Sequence, residues 1–92
     1  MFIEYKIEVN KQNTEAIQRH AFTLGYYWEH VVIKDGTQRT PQYLGYHYLA
    51  LNDDGTIFYS NDEYVFKKIW DYNFIEVEDF LKLTKEDVLI NG

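Results

Sequence analysis

The stretch "TEAIQRHAFTLGYYWEHVVI", Thr14 to Ile33, decides the fold because it holds a helix, a stop signal and the start of a strand. Ile17, Ala21 and Leu24 recur at helical spacing, which predicts an amphipathic helix from Thr14 to Leu24. Gly25 can end this helix, since glycine adopts the left-handed conformation without a steric penalty from a Cβ atom. The aromatic and β-branched residues that follow predict a strand.

Three large rings come directly after the glycine, at Tyr26, Tyr27 and Trp28. Side chains alternate between the two faces of a strand, so Tyr26 and Trp28 should share one face and Tyr27 the other. We expect Trp28 in the core and Tyr27 toward a partner or a second subunit. Four further tyrosines predict rings on both faces of the sheet, and hence a homodimer or a bound partner: Tyr43, Tyr46, Tyr48 and Tyr59.

The segments on either side of this stretch predict more strands. "MFIEYKIEVN" alternates polar and apolar residues as a half-buried strand does. Asn13 or Thr14 can cap the helix that follows it. "NDDG" predicts a hairpin turn between the apolar runs "YLGYHYLAL" and "TIFYS".

The last third of the chain adds short helices and one strand. "SNDEYVFKKIW" predicts a short helix that begins with a Ser60–Glu63 capping box and turns Val65, Phe66 and Ile69 inward. "NFIEV" predicts a final strand, and "EDFLKL" and "TKEDVLI" predict helical turns, the second with its own capping box. The expected fold over residues 1–92 is a single α+β domain, with a mostly antiparallel sheet of four to five strands packed on one main helix and short C-terminal helical turns.

Composition restricts the class of protein and its compartment. The chain has 92 residues and no cysteine, which excludes a disulfide scaffold and thiolate metal sites. Its start lacks the basic and apolar regions of a signal peptide, and no run approaches the ~20 apolar residues of a membrane span. We therefore expect a cytoplasmic protein without a membrane partner.

The net charge of −6 is unevenly distributed along the chain. Acids and bases balance through Ala50, whereas ten acids stand against four bases from Leu51 onward. Direct binding to nucleic acid is disfavoured, because affinity for phosphates requires clustered lysine and arginine. A basic partner is favoured, although the same acids would also serve solubility.

The sequence contains no recognisable catalytic or metal-binding motif. The three histidines, His20, His30 and His47, do not occur in HxH, HxxxH or HExxH spacing. Ser60 is the only serine, and the paired carboxylates fall at predicted turns or helix starts, where capping explains them. A glycine-rich phosphate loop is also missing from the sequence. We expect a protein that is not an enzyme, without catalytic residues, a metal or another cofactor.

Three segments together resemble a class of small tailed-phage proteins: "AFTLGYYW" at the helix end, "YLALNDDGTIFYS" and the closing "FIEVEDFL". Members of that class have a helix ending in L-G-Y-x-W, a D-D-G hairpin and a terminal acidic-D-F-L segment. "KDGTQRTPQ" and the tail after Leu83 depart from the pattern. The resemblance implies a phage accessory protein in the cytoplasm of a host cell, and some small acidic proteins of this kind block restriction or CRISPR nucleases.

Charge and resemblance together predict a non-enzymatic inhibitor that binds a basic surface on a host defence or nucleic-acid-handling protein. A dimer that aligns two acidic halves could act as a DNA mimic, whereas one copy has too few acids to imitate a duplex. In such interfaces, aromatic anchors supply much of the affinity, and a charged rim steers the partners together. The expected contact residues are Asp53, Asp54, Asp62, Glu63, Asp71, Glu76, Glu78 and Asp79, with Tyr27 or Tyr59 as anchors.

A second hypothesis is an oligomer that sequesters a small nucleotide signal. Its tyrosine and tryptophan rings would stack on bases, and Arg19, Arg39, Lys67 and Lys68 would hold phosphates. A minor assembly protein is a third possibility that the sequence leaves open.

Overall fold

The computed structural model describes residues 1–28, 41–42 and 47–90, which form a small α+β structure with one main helix. The chain enters the sheet first, crosses it with the main helix and then returns for the remaining strands. The elements are β1 (Tyr5–Glu8), α1 (Thr14–Leu24), β2 (Tyr48–Leu51), β3 (Ile57–Ser60), a π-helical turn (Val65–Ile69), β4 (Asn73–Phe74), α2 (Val77–Phe80) and α3 (Lys85–Val88).

The four described strands form a mixed sheet in the order β3-β2-β1-β4. β1 pairs antiparallel with β2, and β2 with β3, but β4 pairs parallel with β1. The prediction of a mostly antiparallel sheet is therefore wrong. The mixed strand directions result from the path of segment 61–72. Since β3 and β4 both run in the direction of β1, the chain between them must cross back over the sheet.

The predicted second strand is described only at its start. Tyr27 forms one parallel bridge with Thr56, in which the Tyr27 amide donates to the Gly55 carbonyl at 2.9 Å and the Ile57 amide donates to the Tyr27 carbonyl at 2.8 Å. The rest of that prediction, together with Tyr43 and Tyr46, lies outside the described residues. Tyr26 and Trp28 are fully buried and Tyr27 is half-buried, which confirms the predicted alternation and the place of Trp28 in the core.

Helix α1 has the predicted bounds and ends as predicted at Gly25, whose φ is +110°. The Tyr26 amide donates back to the Ala21 carbonyl at 3.0 Å, as in helix ends with a left-handed glycine. The start differs from expectation, since neither candidate cap bonds the first turn with its side chain. The Asn13 side chain instead accepts from the Asn10 amide at 2.8 Å, and so closes the preceding turn.

The core lies between α1 and the sheet, and α2 and α3 close its end. Aliphatic side chains from α1 and the three longer strands form its centre, with Trp28 and Tyr26 beside them. Phe80 of α2 and Val88 of α3 are fully buried in the same cluster. The predicted capping box of α3 is confirmed between Thr84 and Asp87. The predicted strand "NFIEV" is shortened, because α2 already begins at Val77.

A buried glutamine ties α1 to two other parts of the chain. Gln18 is 0% exposed, and its Nε2 donates to Thr14 Oγ1 at 2.9 Å and to the Gln42 carbonyl at 2.8 Å. Its Oε1 accepts from Trp28 Nε1 at 3.0 Å and from the Gln42 amide at 2.7 Å. Both amide hydrogens and both oxygen lone pairs are therefore used.

The second face of the sheet carries the crossover 61–72. Phe66 is buried there, stacked on Tyr48 at 4.5 Å between ring centroids, with the Phe74 ring at 6.0 Å. Lys6 Nζ donates to the Phe66 carbonyl at 2.7 Å and lies 5.0 Å from the Phe66 ring centroid. The prediction of rings on both faces is confirmed, and part of the second face is covered by the chain itself.

Two details predicted for this crossover are wrong. Ile69 is 59% exposed rather than inward, because the turn is π-helical and its wider spacing turns Ile69 away while Phe66 packs on the sheet as predicted. The Ser60–Glu63 capping box does not form. Ser60 Oγ accepts from the Asp62 amide at 3.0 Å, and Glu63 pairs with Lys67.

Phe2 packs against two glycines that have left-handed backbones. The φ angles are +110° at Gly25 and +91° at Gly55, and an added Cβ at either position would lie 3.0 Å from the Phe2 ring. The Phe2 amide donates to the Asp53 carbonyl at 2.8 Å, and its ring is 4.9 Å from that of Tyr26. The first residues are therefore fixed against the β2–β3 turn.

Gln18→Met should lower the free energy of unfolding by about 2–4 kcal/mol, because it keeps the side-chain length but removes the buried hydrogen bonds that the Gln18 side-chain amide makes to Thr14, Trp28 and Gln42. Urea unfolding followed by tryptophan fluorescence measures this. The control is Gln12→Met, at an exposed position, which should change stability by less than about 0.5 kcal/mol. Equal effects of the two variants would contradict the role of the amide.

Gly55→Ala should cost about 1–3 kcal/mol, because the new residue must keep a positive φ and its Cβ meets the Phe2 ring. Chemical denaturation gives this cost in the wild type and in a Phe2→Leu background. A smaller cost in the Phe2→Leu background would measure the share due to the ring contact. A cost near zero in both backgrounds would contradict a requirement for glycine at position 55.

Candidate functional site

The eight predicted acidic contact residues are all exposed, but they fall into three groups. Asp53 and Asp54 lie in the β2–β3 turn, and Asp71 lies at the same end of the sheet. The second group follows the opposite end of β3, about 13 Å of strand away, and contains Asp62 and Glu63. The third group lies at the start of α2 and contains Glu76, Glu78 and Asp79.

The first group opens into a hollow of about 490 Å³, which we call the acidic hollow. Three carboxylates line it, from Glu4, Asp53 and Asp71. Its other lining residues are four apolar and two polar ones: Met1, Phe2, Ile3, Ile90, Tyr72 and Asn73. Among the described residues that line it there is no lysine or arginine, so its side-chain charge is negative.

Hydrogen bonds fix the walls of the acidic hollow. The Phe2 amide holds the turn at Asp53, and the Ile90 amide donates to the Met1 carbonyl at 2.9 Å. Asn73 Nδ2 donates to the Glu4 carbonyl at 3.0 Å, beside the β1–β4 ladder. Four separate chain segments therefore meet in a preformed cavity.

Tyr72 forms the polar side of the acidic hollow. Its hydroxyl donates to Asn52 Oδ1 at 2.5 Å, and Asn52 Nδ2 in turn donates to Thr56 Oγ1 at 3.0 Å. Burial raises the pKa of Tyr72, and the nearby carboxylates of Glu4, Asp53 and Asp54 raise it further. The phenol therefore stays protonated in a region of negative potential.

Asp54 has a structural role in the turn. Its Oδ1 accepts from Thr56 Oγ1 at 2.6 Å and from the Thr56 amide at 2.9 Å. The Thr56 hydroxyl, then the Thr56 amide, holds the pKa of Asp54 below its usual value of 3.8. The carboxylate is thus engaged within the chain, unlike that of its neighbour Asp53.

The other predicted acids differ in whether their carboxylates form ion pairs or hydrogen bonds within the chain. Glu63 pairs with Lys67 at 2.5 Å on the surface, and Asp62 Oδ1 accepts from the Tyr64 amide at 2.8 Å. Within residues 1–28, 41–42 and 47–90, the remaining five carboxylates make no ion pair and accept no side-chain hydrogen bond: Asp53, Asp71, Glu76, Glu78 and Asp79.

The predicted aromatic anchors lie at β3, Tyr59 within the strand and Tyr27 bridged to Thr56 just before it. Tyr59 is 40% exposed, and its ring lies edge-on to Trp28 at 6.0 Å, so it belongs partly to the core. Tyr59 also lines a groove of about 510 Å³ with Phe58, Val65 and Trp70. Tyr27 is half-buried beside Gly55. The anchors therefore do not lie in the acidic hollow.

Sequence reasoning missed several residues at both surfaces. Phe58 could have been found by alternation from Ile57, since neighbouring strand residues face opposite sides. Glu4 and Tyr72 had no such signal. They reach the acidic hollow only because β1 and β4 pair in parallel.

Among the described residues, the basic groups proposed for nucleotide binding lie on two separate elements, with Lys68 next to Lys67. Arg19 lies on α1 and pairs with Glu15 at 3.5 Å, whereas Lys67 lies on the crossover and pairs with Glu63. Arg39 lies outside the described residues.

The histidines have structural surroundings where they are described. His20 Nε2 lies 2.9 Å from the Leu83 carbonyl, and its ring contacts Phe80 edge-on. His47 is exposed beside Tyr48, and His30 lies outside the described residues. In the described part of the chain, no three histidine, aspartate or glutamate side chains converge closely enough to hold a metal ion. Nor does any described helix have the length and apolar character needed to cross a membrane.

Comparison of the chain with protein-family models, curated proteins and solved structures finds no match. The resemblance to small phage proteins therefore stays a prediction.

The dependence of unfolding on acid pH should show how much stability the hydrogen bonds of the Asp54 carboxylate contribute. Because its folded-state pKa is lowered, the stability it contributes is present above about pH 4 and is lost as pH falls through the lowered value. Asp54→Asn should therefore be less stable near pH 6 and lose less stability on acidification to about pH 2. Urea unfolding at several pH values measures both effects.

Asp53→Asn is the matched control for Asp54→Asn, since the Asp53 carboxylate accepts no hydrogen bond among the described residues. It removes the same charge from the same turn but breaks no bond to Thr56, so it should change stability near pH 6 by less than Asp54→Asn does. If both variants behaved alike, the bonds to Thr56 would not be the cause.

Proposed function

We propose that this chain is a non-enzymatic binding protein that attaches its acidic surface to a basic surface on a nucleic-acid-handling protein and blocks it. The observation that supports this most is the set of five exposed carboxylates that have no partner among the described residues, two of which line the acidic hollow. Carboxylates held in ion pairs would have little charge left to offer to a partner.

Electrostatics favours a basic partner. The excess of ten acids over four bases after Leu51 gives this part of the surface a negative potential, which speeds encounter with a positive surface. A partner that handles nucleic acid carries such a surface because it must bind phosphates. Occupation of that surface would exclude the nucleic acid, and the chain would act as an inhibitor.

The acidic hollow adds shape to this charge. Met1 is 74% exposed and Ile90 47% exposed at its edge, beside the carboxylates of Asp53 and Asp71, which no described side chain pairs. Protein interfaces combine apolar contacts of this kind with polar ones at the rim. Its fixed walls mean that little ordering would be needed on binding, which favours affinity.

The distribution of acids bears on the kind of attachment. A DNA duplex carries one negative charge per ~1.7 Å along its axis, whereas the eight acids here form three separate groups. That arrangement favours contact with a basic protein surface over close imitation of a duplex. A dimeric DNA mimic would require partner copies to bring the groups into line.

Capture of protein from a host-cell lysate by the immobilised chain tests the proposal. Capture should fall steeply between low and high salt, and duplex DNA should release the captured protein in competition. The variant Asp53→Asn/Asp71→Asn/Glu78→Gln/Asp79→Asn should lose about 2 kcal/mol of binding, or roughly thirtyfold in Kd, if each exposed pair contributes about 0.5 kcal/mol.

The control variant Glu15→Gln/Glu86→Gln also removes exposed acids, but outside the three groups. It should keep most of the binding. Capture that does not depend on salt, or that is equal for the two variants, would contradict a role for the acidic surface.

A further inference from the structure

The acidic hollow has the chemistry of a receptor for one long cationic side chain. Its walls are apolar at Phe2, Ile3 and Ile90, and its carboxylates come from Glu4, Asp53 and Asp71. A side chain with an apolar stem and a charged head matches both parts at once. We infer that the hollow receives an arginine side chain from the basic partner, an inference that rests on the proposed function.

The spacing of the carboxylates decides between a metal ion and a larger cation. A metal ion needs its ligands at about 2.0–2.6 Å from one point. No three described carboxylate or histidine side chains converge in this way, and that includes those of the hollow. Carboxylates that surround a cavity of about 490 Å³ suit a bulky organic cation instead.

The rings of the hollow decide between arginine and lysine. Tyr72 and Phe2 both line it, and the planar guanidinium stacks on aromatic faces, whereas an ammonium group acts as a point charge. Guanidinium also binds carboxylates through two parallel hydrogen bonds. Asp53 and Asp71 have their acceptors available for this, since neither carboxylate is bonded among the described residues.

The fixed walls make the receptor preformed. Phe2 is held by the hydrogen bond from its amide to the Asp53 carbonyl and by contact with two glycines, and Tyr72 is held by the hydrogen bond from its hydroxyl to Asn52. An incoming side chain would therefore not have to order the hollow first, which favours binding of even a small probe.

A titration of the full chain with Nα-acetyl-arginine amide, followed by backbone amide NMR shifts, tests the inference. The amide signals of Phe2, Asp53, Tyr72 and Asn73 should shift and saturate together. Nα-acetyl-lysine amide should bind distinctly more weakly. Shifts that never saturate, or equal binding of the lysine probe, would overturn the inference.

Substitutions inside and outside the acidic hollow test where the arginine probe binds. Asp53→Asn/Asp71→Asn should weaken arginine binding about tenfold or more, the scale of one lost charge-assisted hydrogen bond. Asp62→Asn/Asp79→Asn makes the same change in charge elsewhere and should leave binding unchanged. Ile90→Arg, which keeps every acid but places a guanidinium at the hollow, should block the probe. Equal weakening by both double variants, or free binding to the Ile90→Arg variant, would refute the location.

Two double variants, one in the acidic hollow and one at the start of α2, separate this inference from the proposed function. If Asp53→Asn/Asp71→Asn retains full salt-sensitive capture of the protein partner while Glu78→Gln/Asp79→Asn loses it, the arginine receptor is wrong and the acidic-surface function stands. If the arginine probe binds as expected but capture ignores salt, the receptor stands and the function fails.

Discussion

The buried amide of Gln18 is the constraint on which the arrangement of this fold depends. A polar group without partners at this depth would cost about 1–3 kcal/mol. Hydrogen bonds join it to Thr14 of α1, to Trp28 and to the backbone of Gln42, so they form only when three chain segments are in place. Apolar packing around it supplies most of the stabilisation but would tolerate small shifts of the helix, whereas the directional bonds do not.

The crossover 61–72 determines where the acidic hollow forms on the surface. Since β3 and β4 run in the same direction, the chain must return across the second face, where Phe66 anchors it on Tyr48. The return brings Asp71 and Tyr72 to the end of the sheet where the turn places Asp53. The acidic hollow is thus a consequence of how the strands are connected, and its walls are fixed by the same hydrogen bonds that hold the sheet edge and the chain ends.

Local signals in the sequence were reliable where one short segment decides the outcome. The helix that ends at Gly25, the "NDDG" turn and the burial of Trp28 all follow from spacing or from backbone freedom. The errors arose where distant contacts decide. Ile69 was expected inward beside Phe66, but only Phe66 packs on the sheet, because its ring contacts Tyr48 and Phe74 and its carbonyl accepts from Lys6. The parallel pairing of β4 likewise depends on the path of the crossover.

The sequence by itself determined the α+β composition, the main helix and the surplus of exposed acids, because these depend on residue type and short-range spacing. Only the tertiary structure decided which acids keep a usable charge, since Asp54 is bound by Thr56 while Asp53 is not. It also decided that Glu4 and Tyr72 join Asp53 and Asp71 in one cavity. The physical reason is that hydrogen bonds and cavities depend on distances between atoms of remote segments, which strand pairing fixes and residue order does not.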